Sequence, residues 1–300
     1  MAGSGAARRV ARERARAAYL AACELDVAVR KPGNVSRASG GHGMQAALFS
    51  ASARASVGPL IEPGARVGAR IEGAVAATAR AAGCNTNLGI VLLCAPVARA
   101  VELHPEAAEP AALRAAVEAV LADLDVADAR GAYRAIAQAR PGGLGSAAAE
   151  DVRDTPSVDL RAAMALAADR DDIARQYRDG FADFFALDLA ALAAALSGSA
   201  ARHDGPAPAD LTDAVQRVYL QFLAGRPDSH IVRKHGAALA HSVMSAAKPW
   251  QARAAAGERV DADPGFAAWD LELKKSGLNP GTSADFTVAA LFIAGLVATR

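Results

Sequence analysis

Alanine-rich segments in which apolar residues recur three and four positions apart constrain this chain more than any other feature, and they cover residues 6–29, 45–57, 67–82 and 113–124. Apolar groups at those intervals share one face of an α-helix, and alternating runs of the strand kind are nearly absent. The pattern continues over 159–196, with a break near Gly180, and then over 211–224, 237–247, 264–275 and 283–298. The reading is all-α: one multi-helix domain over residues 1–300, with a surface linker at 197–210 and no repeat of fixed period. Residues 88–98 and 286–298 are apolar around the whole circumference. They are shorter than the roughly 20 residues a membrane-spanning helix needs, so they are expected as buried core helices.

Charge excludes two classes of partner. With 33 basic and 32 acidic side chains the net charge is +1, which leaves no excess field to hold nucleic acid or an anionic membrane. Any anionic ligand must be bound by a local arrangement. Arginines at 8, 9, 12, 14 and 16 are interrupted by Glu13, and no apolar stretch precedes a cleavage site, so a targeting segment is not expected. Cys23, Cys84 and Cys94 are too scattered for a disulfide framework or a zinc cluster. They are read as core residues in a reducing, cytoplasmic setting.

Four polar islands containing glycine interrupt the helical pattern, at residues 31–44, 83–89, 139–156 and 278–286. Such islands set backbone N–H groups and small polar side chains at helix starts, where the helix dipole favours a bound phosphate. In the last island Asn279-Pro280-Gly281 forms a turn and Asp285 is expected in the first turn of the helix that follows. There it either complements the helix dipole or holds Mg²⁺ beside a bound phosphate. Asn85, Thr86 and Asn87 directly precede an apolar run, and three such residues exceed what one helix cap requires. Asp151 and Asp154 are spaced to share one face of a helix start as a metal-binding pair. No HExxH, GxSxG or Walker A motif is present, which argues against a catalytic zinc, a serine nucleophile and a P-loop.

In this order and spread, the islands resemble the triphosphoribosyl-dephospho-CoA synthase family. The resemblance rests on Lys31-Pro32-Gly33, Asn85-Thr86 with Gly89, Asp228, and Pro280-Gly281 with Ser283-Ala284-Asp285, and runs from about residue 20 to the end. Asn34-Val35 and Asn87-Leu88-Gly89 resemble a divergent branch found in archaea and in bacteria with methanopterin-linked one-carbon metabolism. Where the family pattern carries His-Lys, this chain has Asn87-Leu88, and a Gly-Ala-His-x-Asp segment is replaced by Gly40-Gly41-His42-Gly43-Met44.

The resemblance implies a transferase that takes Mg²⁺-ATP and 3′-dephospho-CoA, displaces adenine and joins a triphosphoribosyl group to a ribose hydroxyl. It implies Asp228 and Asp285 as catalytic residues. Lys31, Gly33, Asn34, Asn85, Thr86, Asn87, Gly89, Arg233, Gly281 and Ser283 are then expected around the nucleotide, and Asp285, Asp151 and Asp154 around the metal. A nucleotide-dependent transferase acting on a pterin-type intermediate and a non-catalytic helical binding protein are the alternatives, and a homo-oligomer is compatible with each.

Overall fold

A computed structural model describes residues 2–147, 149–198 and 207–297. Fifteen α-helices occur among them: α1 Ala2–Ala28, α2 Ala46–Leu60, α3 Val67–Ala82, α4 Leu88–Leu103, α5 Pro110–Ala122, α6 Val126–Ala139, α7 Leu160–Ala167, α8 Asp172–Arg178, α9 Ala182–Phe185, α10 Leu189–Ser197, α11 Ala209–Gly225, α12 Ser229–His235, α13 Ala237–Ala255, α14 Pro264–Lys275 and α15 Gly281–Leu296. Extended pairing among the described residues is limited to one bridge between Gly41 and Met44, and the fold is all-α. No described helix is long and apolar enough to cross a membrane. Most of the expected linker, residues 199–206, lies outside the described residues.

The two all-round apolar segments form the centre. In α4 and in α15, 13 of 16 residues are buried, and the two helices pack against each other and against α1. Tyr19 of α1 meets Phe292 of α15 edge-on at 6.0 Å, and truncating a ring buried to this degree costs about 3–5 kcal/mol. A layer of α2, α3 and α6 covers one side. A second apolar cluster joins α11, α13 and α14 around Phe266 and Trp269, and reaches α15 at Ala284.

Several boundaries differ from the sequence expectation, each for a local reason. The stretch 159–196 holds four helices instead of a single break, because Asp159, Asp171 and Asp188 each cap a new helix with their side chains. Positive φ at Gly180 and Phe181 ends α8. Helix α6 starts at a capping box formed by Asp125 and Asp128. Helix α12, only seven residues long, starts at the side chain of Asp228. Helix α15 begins at Gly281, so Asp285 sits in the second turn and no acidic residue occupies the first.

Candidate active site

All four polar islands open onto one cleft of about 1000 Å³. Asn34, His42 and Met44 come from the first island, 83–89 from the second, 140–145 with Ala147 and Asp151 from the third, and Asn279, Gly281, Thr282 and Asp285 from the fourth. Helices α8 and α12 add Asp171 as cap residue, His230, Arg233 and Lys234.

The first and fourth islands are locked to each other. The buried Asp270 carboxylate accepts from Gly33 N at 2.9 Å and Ser39 Oγ at 2.8 Å, and pairs with Lys274 at 2.8 Å. Asn34 Nδ2 donates to Asn279 Oδ1 at 3.0 Å. Gly33 has φ of 83°, and a Cβ there would lie 2.7 Å from Pro280 Cδ and 2.9 Å from the Leu278 carbonyl. Only glycine allows this crossing.

In the second island Asn85 Oδ1 accepts from Leu88 N at 3.1 Å and so takes up the first N–H of α4. Thr86 Oγ1 donates to Ser52 Oγ at 2.6 Å, and Asn87 Nδ2 to Ser56 Oγ at 3.2 Å, which also meets the Tyr19 hydroxyl. The three residues line the cleft, yet these bonds fasten α4 to α2. Cys84 is exposed on the cleft wall, whereas Cys23 and Cys94 are buried as expected.

The third island folds as a loop, so Asp151 and Asp154 do not share a helix face. Arg153 grips both oxygens of Asp151, at 2.8 and 2.7 Å, and Ala147 N donates at 2.8 Å, holding this carboxyl well below the usual range. Asp154 does not line the cleft. The loop is tied to α12 by Arg233 Nε, which donates to the Gly142 carbonyl at 3.0 Å.

The fourth island carries the carboxylate that sequence reading weighted most. Asp285 lines the cleft and makes no hydrogen bond or ion pair with any described residue. Burial, then the charges of Asp26 and Asp228, push its carboxyl well above the ordinary range. Space for it comes from Gly89 in the facing helix, where a Cβ would lie 2.0 Å from Asp285 Oδ2. Asp228 and Ser283, by contrast, do not line the cleft. Asp228 Oδ1 accepts from His230 N and Ile231 N, while Oδ2 accepts from Ser283 N at 2.7 Å and Ser283 Oγ at 2.8 Å. It clamps the start of α12 to the start of α15, and burial pushes its carboxyl up to about 6.

Lys31 and Gly33 also stay out of the cleft. The Lys31 ammonium is fully buried, 2.9 Å from Asp26 Oδ1, and donates to the Asp26 carbonyl. Asp26, which no motif singled out, does line the cleft. The mouth is basic: Arg140, Arg170, Arg233 and Lys234 all reach it, with Arg233 also 3.3 Å from Asp171. Sequence reading had marked only Arg233 of these. Burial and the adjacent Lys234 and Arg233 lower the His230 imidazole to about 3, so it stands neutral near pH 7. A neutral imidazole here is a hydrogen-bonding group rather than a charge.

Among the described residues no three His, Cys, Asp or Glu side chains converge as a ready metal site. One unpaired carboxylate facing a cleft rimmed with cations suits Mg²⁺ that arrives on a polyphosphate, because this ion usually takes one or two carboxylates and fills its remaining positions with phosphate and water.

The sequence profile described as ATP:dephospho-CoA triphosphoribosyl transferase (CitG) matches residues 12–300. No curated protein sequence matches the chain. Among solved structures, a provisionally assigned triphosphoribosyl-dephospho-CoA synthase from Archaeoglobus fulgidus is 21% identical, with a TM-score of 0.60 over 85% of this chain and 99% of its own. That likeness is one of fold, whereas the profile spans every residue that lines the cleft. The chain therefore belongs to the ATP:dephospho-CoA triphosphoribosyl transferase family, whose members are transferases acting on ATP and dephospho-CoA.

Proposed function

We propose that the cleft transfers the triphosphoribosyl group of Mg²⁺-ATP to a ribose hydroxyl of 3′-dephospho-CoA. The bond from the ribose anomeric carbon to adenine breaks, the acceptor oxygen bonds to that carbon, and the hydroxyl proton leaves with adenine. The observation that carries this reading is the pairing, in one cleft, of an unpartnered carboxylate with a rim of four cationic side chains. Arg140, Arg170, Arg233 and Lys234 supply charge for the triphosphate. Asp285, ionised once divalent cation and nucleotide are present, faces the positive charge that develops as adenine departs. A Mg²⁺ ion held by Asp285 together with the phosphates would shield the phosphate charge. Asp228 and Ser283 act as positioning residues through the clamp between α12 and α15, and Asn85, Thr86 and Asn87 fix the opposite wall. A purely non-catalytic role gives no reason to keep a half-buried carboxylate without a hydrogen-bond partner, which costs stability. Cytoplasmic operation, with the three thiols reduced, belongs to the same reading.

The test is incubation of the protein with Mg²⁺-ATP and 3′-dephospho-CoA, followed by chromatography of the bases and nucleotides. Adenine released in step with acceptor consumption is expected. Release of ADP, or no product with any ribose-hydroxyl acceptor, overturns the proposal.

A further inference from the structure

Lys31 was expected at the nucleotide, yet its ammonium is sealed behind Asp26 and touches no part of the cleft. The group presented to the cleft is its partner. Asp26 is 3% exposed; its Oδ1 lies 2.9 Å from the Lys31 ammonium and takes no hydrogen bond from any other described residue. Its position is unfavourable on local grounds as well, because it lies in the last turn of α1, where the helix dipole repels a negative charge. An anion kept there needs compensation, and Lys31, five residues on, supplies it without occupying the cleft side.

Asp26 comes from the end of α1 and Asp285 from the second turn of α15, and both line the same cleft. Asp285 has no donor of its own and Asp26 has only Lys31, so the two carboxylates facing this space repel each other and would also repel a triphosphate. A divalent cation resolves both conflicts, since it accepts one or two carboxylates together with phosphate oxygens. Resting on the reading of the cleft as a Mg²⁺-nucleotide site, we propose that Asp26 is a second catalytic carboxylate, joining Asp285 as a ligand to the nucleotide-bound divalent cation, with Lys31 as the positioning residue that holds it.

Binding of ATP, titrated with and without Mn²⁺ as the probe cation, separates this role from a merely structural one. For Asp26→Asn the expected result is a loss of about tenfold or more in the Mn²⁺-dependent gain in ATP affinity, with metal-free ATP binding unchanged or tighter. An unchanged Mn²⁺-dependent gain overturns the proposal. If Asp26→Asn fails to fold because Lys31 is stranded, Asp26→Asn combined with Lys31→Met removes both buried charges and reads the same difference. Crystals of the parent protein with Mn²⁺ and a non-hydrolysable ATP analogue decide the matter without any variant. An anomalous peak within about 2.2 Å of oxygens from both Asp26 and Asp285 supports it, and a peak bound by Asp285 alone overturns it. These readouts are of binding, so a parent protein that holds Mn²⁺-ATP but releases no adenine sinks the transfer reaction and leaves the metal assignment standing.

Discussion

Two places in the fold set a carboxylate against a glycine that leaves no room for a side chain. Where α3 crosses α6, Asp128 is 1% exposed and its oxygens accept from Gly68 N, Asp125 N and the Arg66 guanidinium. A Cβ on Gly68 would lie 2.4 Å from the Asp128 carbonyl. Where α4 faces α15, a Cβ on Gly89 would lie closer still, 2.0 Å from Asp285 Oδ2, but no donor reaches that carboxylate. The close helix approach is shared and the provision of partners is not. A buried acid whose every oxygen is satisfied serves the fold, whereas one left bare in a cleft is kept for something that arrives later.

The largest expected effects come from breaking this contrast directly. Asp285→Asn should lower adenine-releasing turnover by about 100-fold or more, as losses of well-placed electrostatic groups do. The fold should gain rather than lose. A carboxyl whose folded pKa is raised contributes stability that is fully present below the unfolded value and is lost as pH rises through the folded one. The variant's melting temperature should therefore exceed the parent's at pH 7–8, and the gain should shrink toward pH 4. Asp128→Asn should behave in the opposite way, costing about 2 kcal/mol through its unpaired donors while turnover per folded molecule holds. Paired melting curves and single-temperature assays check both. An Asp285→Asn variant that melts early yet turns over normally would remove the distinction.

The glycines sharpen the comparison at a smaller scale. Gly68→Ala drives its methyl into the backbone of α6, which cannot move without shifting a helix, and should cost about 1–3 kcal/mol. In Gly89→Ala the obstacle is the end of the Asp285 side chain, with Ile173 Cδ1 at 2.8 Å, and side chains can rotate away. The added methyl also favours a helix interior by up to about 1 kcal/mol. Stability should fall less at Gly89 than at Gly68, while turnover falls more, because the displaced group is the one facing the substrate. Equal activity losses at the two glycines would argue against a special role for the α4–α15 contact.

How much of this was legible beforehand depends on whether the signal was local. Helices α3 and α14 were bounded as found, and the apolar belts of α4 and α15 announced their own burial. The four islands could be found because glycine and small polar residues interrupt a strong helical period. Their convergence on one cleft could be expected only from the ligand that the resemblance implies; which residues line it could not, since that depends on how α12 and α15 are clamped through Asp228. Asp228 itself was marked by motif and placed one layer too near the chemistry. Asp26 was invisible because one carboxylate within a long amphipathic helix reads as a solvated surface charge. Burial separated Lys31 from the role its motif suggested, and burial is a property of the packed chain. Asp151, expected as half of a metal-binding pair in the third island, is held by Arg153 instead, and Asp159 and Asp171 further along the chain cap helices.

The smallest expected effect concerns the rim, and it tests whether the cleft attracts polyphosphate through charges that the fold does not otherwise use. Arg233 is pinned to the Gly142 carbonyl and to Asp171, so replacing it would disturb the third island as well as any ligand. Lys234 is exposed, lines the cleft and makes no hydrogen bond or ion pair with a described residue, so its removal should leave the structure alone. Lys234→Ala is expected to weaken ATP binding about three- to tenfold at low ionic strength, in keeping with one charge acting through solvent at short range. Raising the salt to about 1 M, where the screening length falls to about 3 Å, should shrink the difference between variant and parent toward nothing. Lys248→Ala on α13, away from the cleft, provides the control with the same change in net charge. A difference that survives high salt would mean that Lys234 touches a phosphate directly, and equal effects of the two substitutions would mean that only overall charge matters. The first result would put the triphosphate against α12 at the rim, and the second would move it off the rim altogether.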